Sequence, residues 1–193
     1  MQGRPTWKQL LGGGEPLLLP CAHDALSARL IERAGFRAYS IGGYALVGAR
    51  HALPDIGLVA YGEMSAGVRD IMAGSRLPVL IDGDDGYGDV KNVVHTVAGY
   101  EAMGASAIFI EDQRAPKRCG HMAGKSVIET EAMARKLRAG FDATMKDTQF
   151  LEDAQRLRID ISPLPGAKVQ EVVEKLYASP KDVVMRARQV IAP

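Results

Sequence analysis

Short apolar runs alternate with helical apolar patterns over the first 140 residues. Pro16-Leu17-Leu18-Leu19-Pro20 predicts a strand edged by prolines, and Arg37 to Ile41 predicts a second, ended by Gly42-Gly43. Pro78 to Asp82 predicts a third strand and Ala105 to Glu111 a fourth. Helices fall between them. Asp24 caps one whose apolar positions are Leu26, Leu30 and Ile31, and Gly35 stops it. Another runs from about Gly62 to Met72, and Asp89 opens one carrying Val93, Val94, Val97 and Met103. A loop then reaches about Ser126 and a helix covers residues 129–145. Strands alternating with helices argue for βα units around a parallel sheet.

From about residue 141 the pattern is helical. Asp147 caps a short helix with Phe150, Leu151 and Leu157, and Ile159-Asp160-Ile161 is extended before Pro163 and Pro165. Val169, Val172, Val173, Leu176 and Tyr177 keep the i, i+3, i+4 spacing of an amphipathic helix. Ser179-Pro180-Lys181-Asp182 starts a last helix with Val183, Val184, Ala187, Val190 and Ile191 on one face. Met133, Leu137, Phe141 and Met145 form one i, i+4 row that carries the pattern across residue 140. An interior glycine there, Gly140, costs a helix about 1 kcal/mol against alanine and does not forbid it.

Composition sharpens that boundary. Of 21 glycines, 20 lie within residues 1–140, as do all four histidines and both cysteines. A glycine-rich, loop-functional part, 1–140, gives way to a helical part, 141–193. The 193 residues suit one ordinary domain or one with a small appendage. A net charge of +1 supplies no electrostatic reason to expect nucleic acid or an anionic membrane as partner. Two cysteines are too few for a disulfide-stapled domain. The start lacks a signal peptide's apolar segment and no run approaches the roughly 20 apolar residues of a membrane span, so the expectation is a soluble cytoplasmic protein.

Candidate chemistry gathers after two strands. Asp82, Asp84 and Asp85 follow the third, and Glu111 and Asp112 the fourth. Ligands of parallel βα folds bind at that end of the sheet. Converging carboxylates repel one another unless protons or a cation neutralise them, and Mg²⁺ suits oxygen ligands of this kind. Asp82-Gly83-Asp84-Asp85-Gly86 reads either as such a loop or as a solvated turn. Lys117-Arg118-Cys119-Gly120-His121 packs two cations, a thiol and an imidazole into one loop. Neighbouring positive charge favours thiolate, which suits Cys119 to proton transfer, whereas the bland reading is a basic surface loop. Cys119 and His121 give too few ligands for zinc. Gly42-Gly43 would let backbone N–H groups approach a carboxylate, or is simply a turn.

Together, Leu17 to Ala34 (LLLPCAHDALSARLIERA), Leu53-Pro54-Asp55-Ile56-Gly57, Asp82 to Gly88 (DGDDGYG) and Ile110-Glu111-Asp112-Gln113 leading into Lys117 to His121 (KRCGH) resemble the isocitrate lyase/phosphoenolpyruvate mutase superfamily over residues 10–140. The resemblance implies an α/β fold, the first four βα units of a (β/α)₈ TIM-type barrel with a helical C-terminal tail. It implies chemistry on C–C or P–C bonds beside a carboxylate, through Mg²⁺-stabilised enolates, with Mn²⁺ as a substitute. Asp82 and Asp84 would hold the metal, with Asp55 and Glu111 completing its shell. Gly42, Gly43, Asp82, Arg118 and Gly120 would contact the substrate. Lys117, Cys119 and His121 would be the catalytic residues of a mobile gate, and the Cys-Gly-His form resembles the lyase branch, where the cysteine protonates the enolate product.

Three departures stand against this pattern. Ile41 occupies the place of a usual Ser or Thr, Gly83 replaces a usual Ala, and the later βα units with a carboxylate-gripping Arg are missing. Phe141 to Asp147 and Leu176 to Pro180 instead resemble the C-terminal end of tripartite-tricarboxylate-transporter solute-binding proteins. The expectation is a carbon–carbon lyase by descent, acting on a small 2-hydroxy di- or tricarboxylate, impaired by loss of the second half of its barrel and self-associating as a homo-oligomer. The alternative is a non-catalytic remnant or interaction module that keeps the metal loops.

Overall fold

The computed structural model describes residues 5–12 and 14–156, together with Leu164, Lys168 and Glu171. The element order is α1 (Trp7–Leu11), β1 (Cys21–Ala22), α2 (Ala25–Arg33), β2 (Tyr39–Ile41), α3 (Gly43–His51), α4 (Tyr61–Ala73), β3 (Val79–Asp82), α5 (Val90–Ala102), β4 (Ala107–Phe109), α6 (Thr130–Thr144) and α7 (Thr148–Arg156). The chain divides into two compact units, Met1–Thr144 and Met145–Pro193. In the second, Asp147 opens α7 by accepting the Phe150 N–H at 2.8 Å. The extended segment 159–161 and the two later helices expected from the sequence lie outside the described residues.

The four strands form one parallel sheet in the order β1-β2-β3-β4. Its register pairs Cys21 with Ser40, Ser40 with Leu80, and Leu80 with Ala107. Side chains alternate across a strand, so paired residues share a face. Ala22, Ile41 and Ile81 lie on one face and are almost fully buried beneath the helices. Leu46, Val47, Met64, Val68, Ile71 and Tyr100 cover them from α3, α4 and α5. Burying each such side chain contributes roughly 1.5–3 kcal/mol. The other face carries Ser40, Leu80, Asp82 and Phe109, half-buried to exposed. Asp82 ends β3 on that second face, at the C-terminal edge of the sheet.

The sequence placed the first strand at residues 16–20, whereas the ladder starts at Cys21. Prolines 16 and 20 bring no N–H to a ladder; the Pro20 carbonyl accepts the Ser40 N–H at 2.9 Å and pairing begins one residue later. Two helices, α1 and α3, were not expected. In α2 the fully buried residue is Ala28 and Ile31 packs partly buried against the core, while Leu26 and Leu30 are exposed. Of the expected row, Leu137 and Phe141 are about half exposed, Met133 is half-buried, and Met145 lies past the end of α6. Lys136 and Gly140 are the buried positions, and α5 approaches Gly140 through Val97 and Val93.

Candidate active site

Local chemistry builds the β3–α5 loop. The Asp82 carboxylate accepts two backbone N–H groups at 3.0 Å, from Gly43 at the start of α3 and from Asp84. Asp84 takes a left-handed backbone, φ 55°. Its carbonyl accepts the Glu111 N–H at 2.7 Å, which ties this loop to the end of β4. Gly86, at φ 85°, has no room for a side chain, since a Cβ would stand 2.4 Å from Val93. Buried Lys136 reaches from α6 and donates to the Asp85 carbonyl at 3.0 Å. Asp89 and Asn92 cap α5 reciprocally and end the turn.

Three carboxylates from three loops converge on one cation. The Lys117 ammonium donates to Asp55 Oδ1 at 2.9 Å, contacts Asp84 Oδ1 more closely, and lies 3.8 Å from Glu111 Oε1. Lys117, Asp55 and Asp84 side chains are at most 12% exposed. Burial pushes the Asp84 carboxyl up, against the pull of Lys117. Burial, opposed by Lys117 and reinforced by Asp84 and Asp82, pushes Glu111 up to about 7. Burial works against the charged form of Lys117, yet the Asp84 and Asp55 carboxylates outweigh it and hold the ammonium above its ordinary range.

Lys117 belongs to a loop fastened at both ends. Gln113 and Val127 form an antiparallel bridge, and Arg114 N–H donates to Ser126 O at 2.8 Å. Within it Arg118 N–H donates to the Gln113 side chain, and Lys125 donates to the Gly120 and Met122 carbonyls at 2.6 Å each. Cys119 is buried, with Sγ 3.4 Å from His121 Nδ1. The His121 ring stands 6.1 Å from that of Tyr44. The cations next to Cys119 in sequence are not its hydrogen-bond partners in space: Lys117 is engaged by the carboxylates, and Arg118 Nη1 donates to Ala123 O. A cleft of about 350 Å³ opens beside Lys117, between residues 56–60, 84–88 and 115–117.

Asp55, Asp82, Asp84, Glu111 and Lys117 are therefore brought together, with Gly43 bonded to Asp82. Cys119 and His121 pair with each other farther along the loop. The Gly43 N–H expected to meet a substrate carboxylate is already engaged by Asp82. Gln113 was quoted only as part of a motif and Tyr44 not at all, so neither was given a role from the sequence. Gln113 hides beside two acidic residues, and Tyr44 meets His121 only after folding.

The donor set fits a hard divalent cation in its chemistry: all oxygen, drawn from separate loops, and already converging on a positive atom. Buried Asp84 Oδ1 has no hydrogen-bond donor beyond that ammonium contact. With Lys117 seated, no three acidic, His or Cys side chains among the described residues surround a metal position.

This architecture, a parallel βα sheet with carboxylates at its C-terminal edge, agrees with comparison to known proteins. Residues 7–188 match the family described as Phosphoenolpyruvate phosphomutase, and the chain belongs to this PEP mutase/isocitrate lyase superfamily. It is 38% identical over 135 residues to 2,3-dimethylmalate lyase of Eubacterium barkeri, covering 70% of this chain and 47% of that protein. A crystal structure of a 2,3-dimethylmalate lyase superposes with a TM-score of 0.65 at 28% identity, over 95% of this chain and 64% of the other. Phosphonopyruvate hydrolase in complex with oxalate and Mg²⁺ gives 0.62 at 31% identity, over 72% and 48%. The chain spans about half the length of the curated relatives it matches, and its four strands correspond to part of the TIM barrel. The family match runs through the tail, and the comparisons lend no support to a transporter-like tail.

Proposed function

We propose that this chain carries the metal and proton-transfer residues of a Mg²⁺-dependent carbon–carbon lyase, with Mn²⁺ as a substitute, acting on a 2-hydroxy di- or tricarboxylate. The observation that carries the reading is the convergence of Asp55, Asp84 and Glu111 on one cationic point beside Asp82. These four carboxylates would hold the metal, which supplies positive charge for the oxygen that becomes negative as the bond breaks. Gly42, Arg118 and Gly120 would orient the substrate's carboxylates, with Gly43 holding Asp82 in place.

In the reaction the substrate hydroxyl would give its proton to solvent and the adjacent C–C bond would break. A carbonyl forms on one fragment, and the bonding electron pair passes to the carbon beside the carboxylate of the other. The Cys119 thiol gives that carbon its proton, and His121, 3.4 Å away, restores it. Lys117, on the same loop as Cys119, would bring positive charge to the substrate's carboxylates. Self-association belongs to this reading, because β1 and β4 each pair on one side only among the described strands, and open ladder edges recruit partners.

The test is a panel of 2-hydroxy di- and tricarboxylates incubated with the chain and Mg²⁺, with release of α-keto acid or glyoxylate as the readout. Release that chelator abolishes and Asp82→Ala removes is expected. No release from any member, with metal affinity intact, returns the second reading of a non-catalytic module. Absence of Mg²⁺ or Mn²⁺ affinity below millimolar defeats both.

A further inference from the structure

An ammonium has three N–H donors, and here it faces three carboxylates. Asp55, Asp84 and Glu111 come from the loops after α3, β3 and β4, so no local sequence preference gathers them. Lys117 enters from the same loop as Glu111, six residues on, and meets the oxygens that a divalent cation would take. Two cations at one point repel, so ammonium and metal cannot share these oxygens at contact distance. The loop's hydrogen bonds between Gln113 and Lys125 are internal to it, and besides Lys117 its one side-chain link to these carboxylates among the described residues is Gln113 Nε2 donating to Glu111 Oε1 at 3.4 Å. Withdrawal of Lys117 therefore leaves the loop's internal structure intact and moves Cys119, two residues on, with it.

We propose that the Lys117 ammonium and a divalent cation are alternative occupants of the Asp55–Asp84–Glu111 carboxylates, so that metal binding expels Lys117 and releases the loop that bears Cys119. This rests on the reading of those carboxylates as the metal site. It adds that the metal-free chain is closed by its own side chain, and that metal affinity reports the competition rather than the carboxylates alone.

Two measurements on the intact chain test it. The first is calorimetric titration with Mn²⁺ and Mg²⁺ alone. Lys117→Met, which keeps length and removes charge, should bind Mn²⁺ at least about tenfold more tightly than the parent, while Lys117→Arg should bind no more tightly. Equal affinity in parent and Lys117→Met overturns the competition while leaving the metal site standing. No binding by either defeats the metal site and this inference with it. The second measurement needs no variant: acetylation of Lys117 in the parent chain, followed by mass spectrometry, with exposed Lys91 as internal reference. Saturating Mg²⁺ should raise Lys117 labelling several-fold relative to chelator and leave Lys91 unchanged. Labelling of Lys117 that stays level or falls overturns the proposal.

Discussion

Lys117 donates to Asp55 across 62 residues of sequence, at 2.9 Å, with both side chains nearly withdrawn from solvent. The pair joins the segment after α3 to the loop after β4. A charge so placed is expensive to leave alone, because removing one partner strands the other in a poorly solvated position. Lys117→Ala should therefore destabilise the metal-free chain by about 3 kcal/mol. Urea unfolding in chelator measures this. An unchanged midpoint would mean that water already solvates the carboxylates.

Glu111 gives a pH dependence of known sign. Its folded-state pKa, about 7, lies above the ordinary carboxylate value of 4.5, chiefly through burial. The folded chain then holds a proton that the unfolded chain has released. Its stabilising contribution is complete below about pH 4.5 and is lost as pH rises through 7. In chelator, the stability of the parent relative to Glu111→Gln should fall over that window. A difference that is flat from pH 4.5 to 7.5 counts against the burial of this carboxyl.

Cys119→Ser separates proton delivery from binding. The oxygen keeps a hydrogen bond to His121 but is a far weaker acid than the thiol. Where turnover is measured, kcat should drop about 100-fold with KM little changed. A matched loss in both constants would make the loop a binding element, and an unaltered kcat would make it a scaffold.

Gly83→Ala tests how tightly β3 and β4 are joined. A Cβ at Gly83 would stand 2.7 Å from Ile108 Cδ1 and 2.9 Å from the Phe109 carbonyl. That carbonyl also accepts the Gly83 N–H at 3.0 Å, so it cannot withdraw freely. The substitution should cost about 1–3 kcal/mol as an overpacking change. Thermal unfolding reads it directly. A neutral result would show that the β4 end shifts at little cost.

Much of the sheet was legible because β2 and β3 are short apolar runs bounded by glycine or proline, and because Asp24 and Asp89 announce their helices. α3 was hidden. It begins on Gly42-Gly43 without a side-chain cap, and its glycines blur the period, so burial of Leu46 and Val47 decides for helix where propensity does not. The carboxylates were visible as acidic residues after strands. Their common partner was not, since no sequence rule brings Lys117 to Asp55 and Asp84 before the sheet has formed. The same holds for Cys119: its sequence neighbours suggested a cationic setting, and folding gave it an imidazole. The family resemblance was legible over residues 10–140, from loop motifs that chemistry constrains. The family match extends over 7–188, across the tail that the sequence had likened to solute-binding proteins.

The Gln113–Val127 bridge has a consequence at a distance from the acids. It presents Lys117 as a tethered competitor whose effective concentration at the carboxylates is fixed by the loop, on the order of millimolar or above for a short tether. A free divalent ion must outbid that local concentration, so the bridge sets the threshold at which the loop changes posture. Loosening the hairpin at Val127, with every carboxylate untouched, would lower the metal level at which the chain opens.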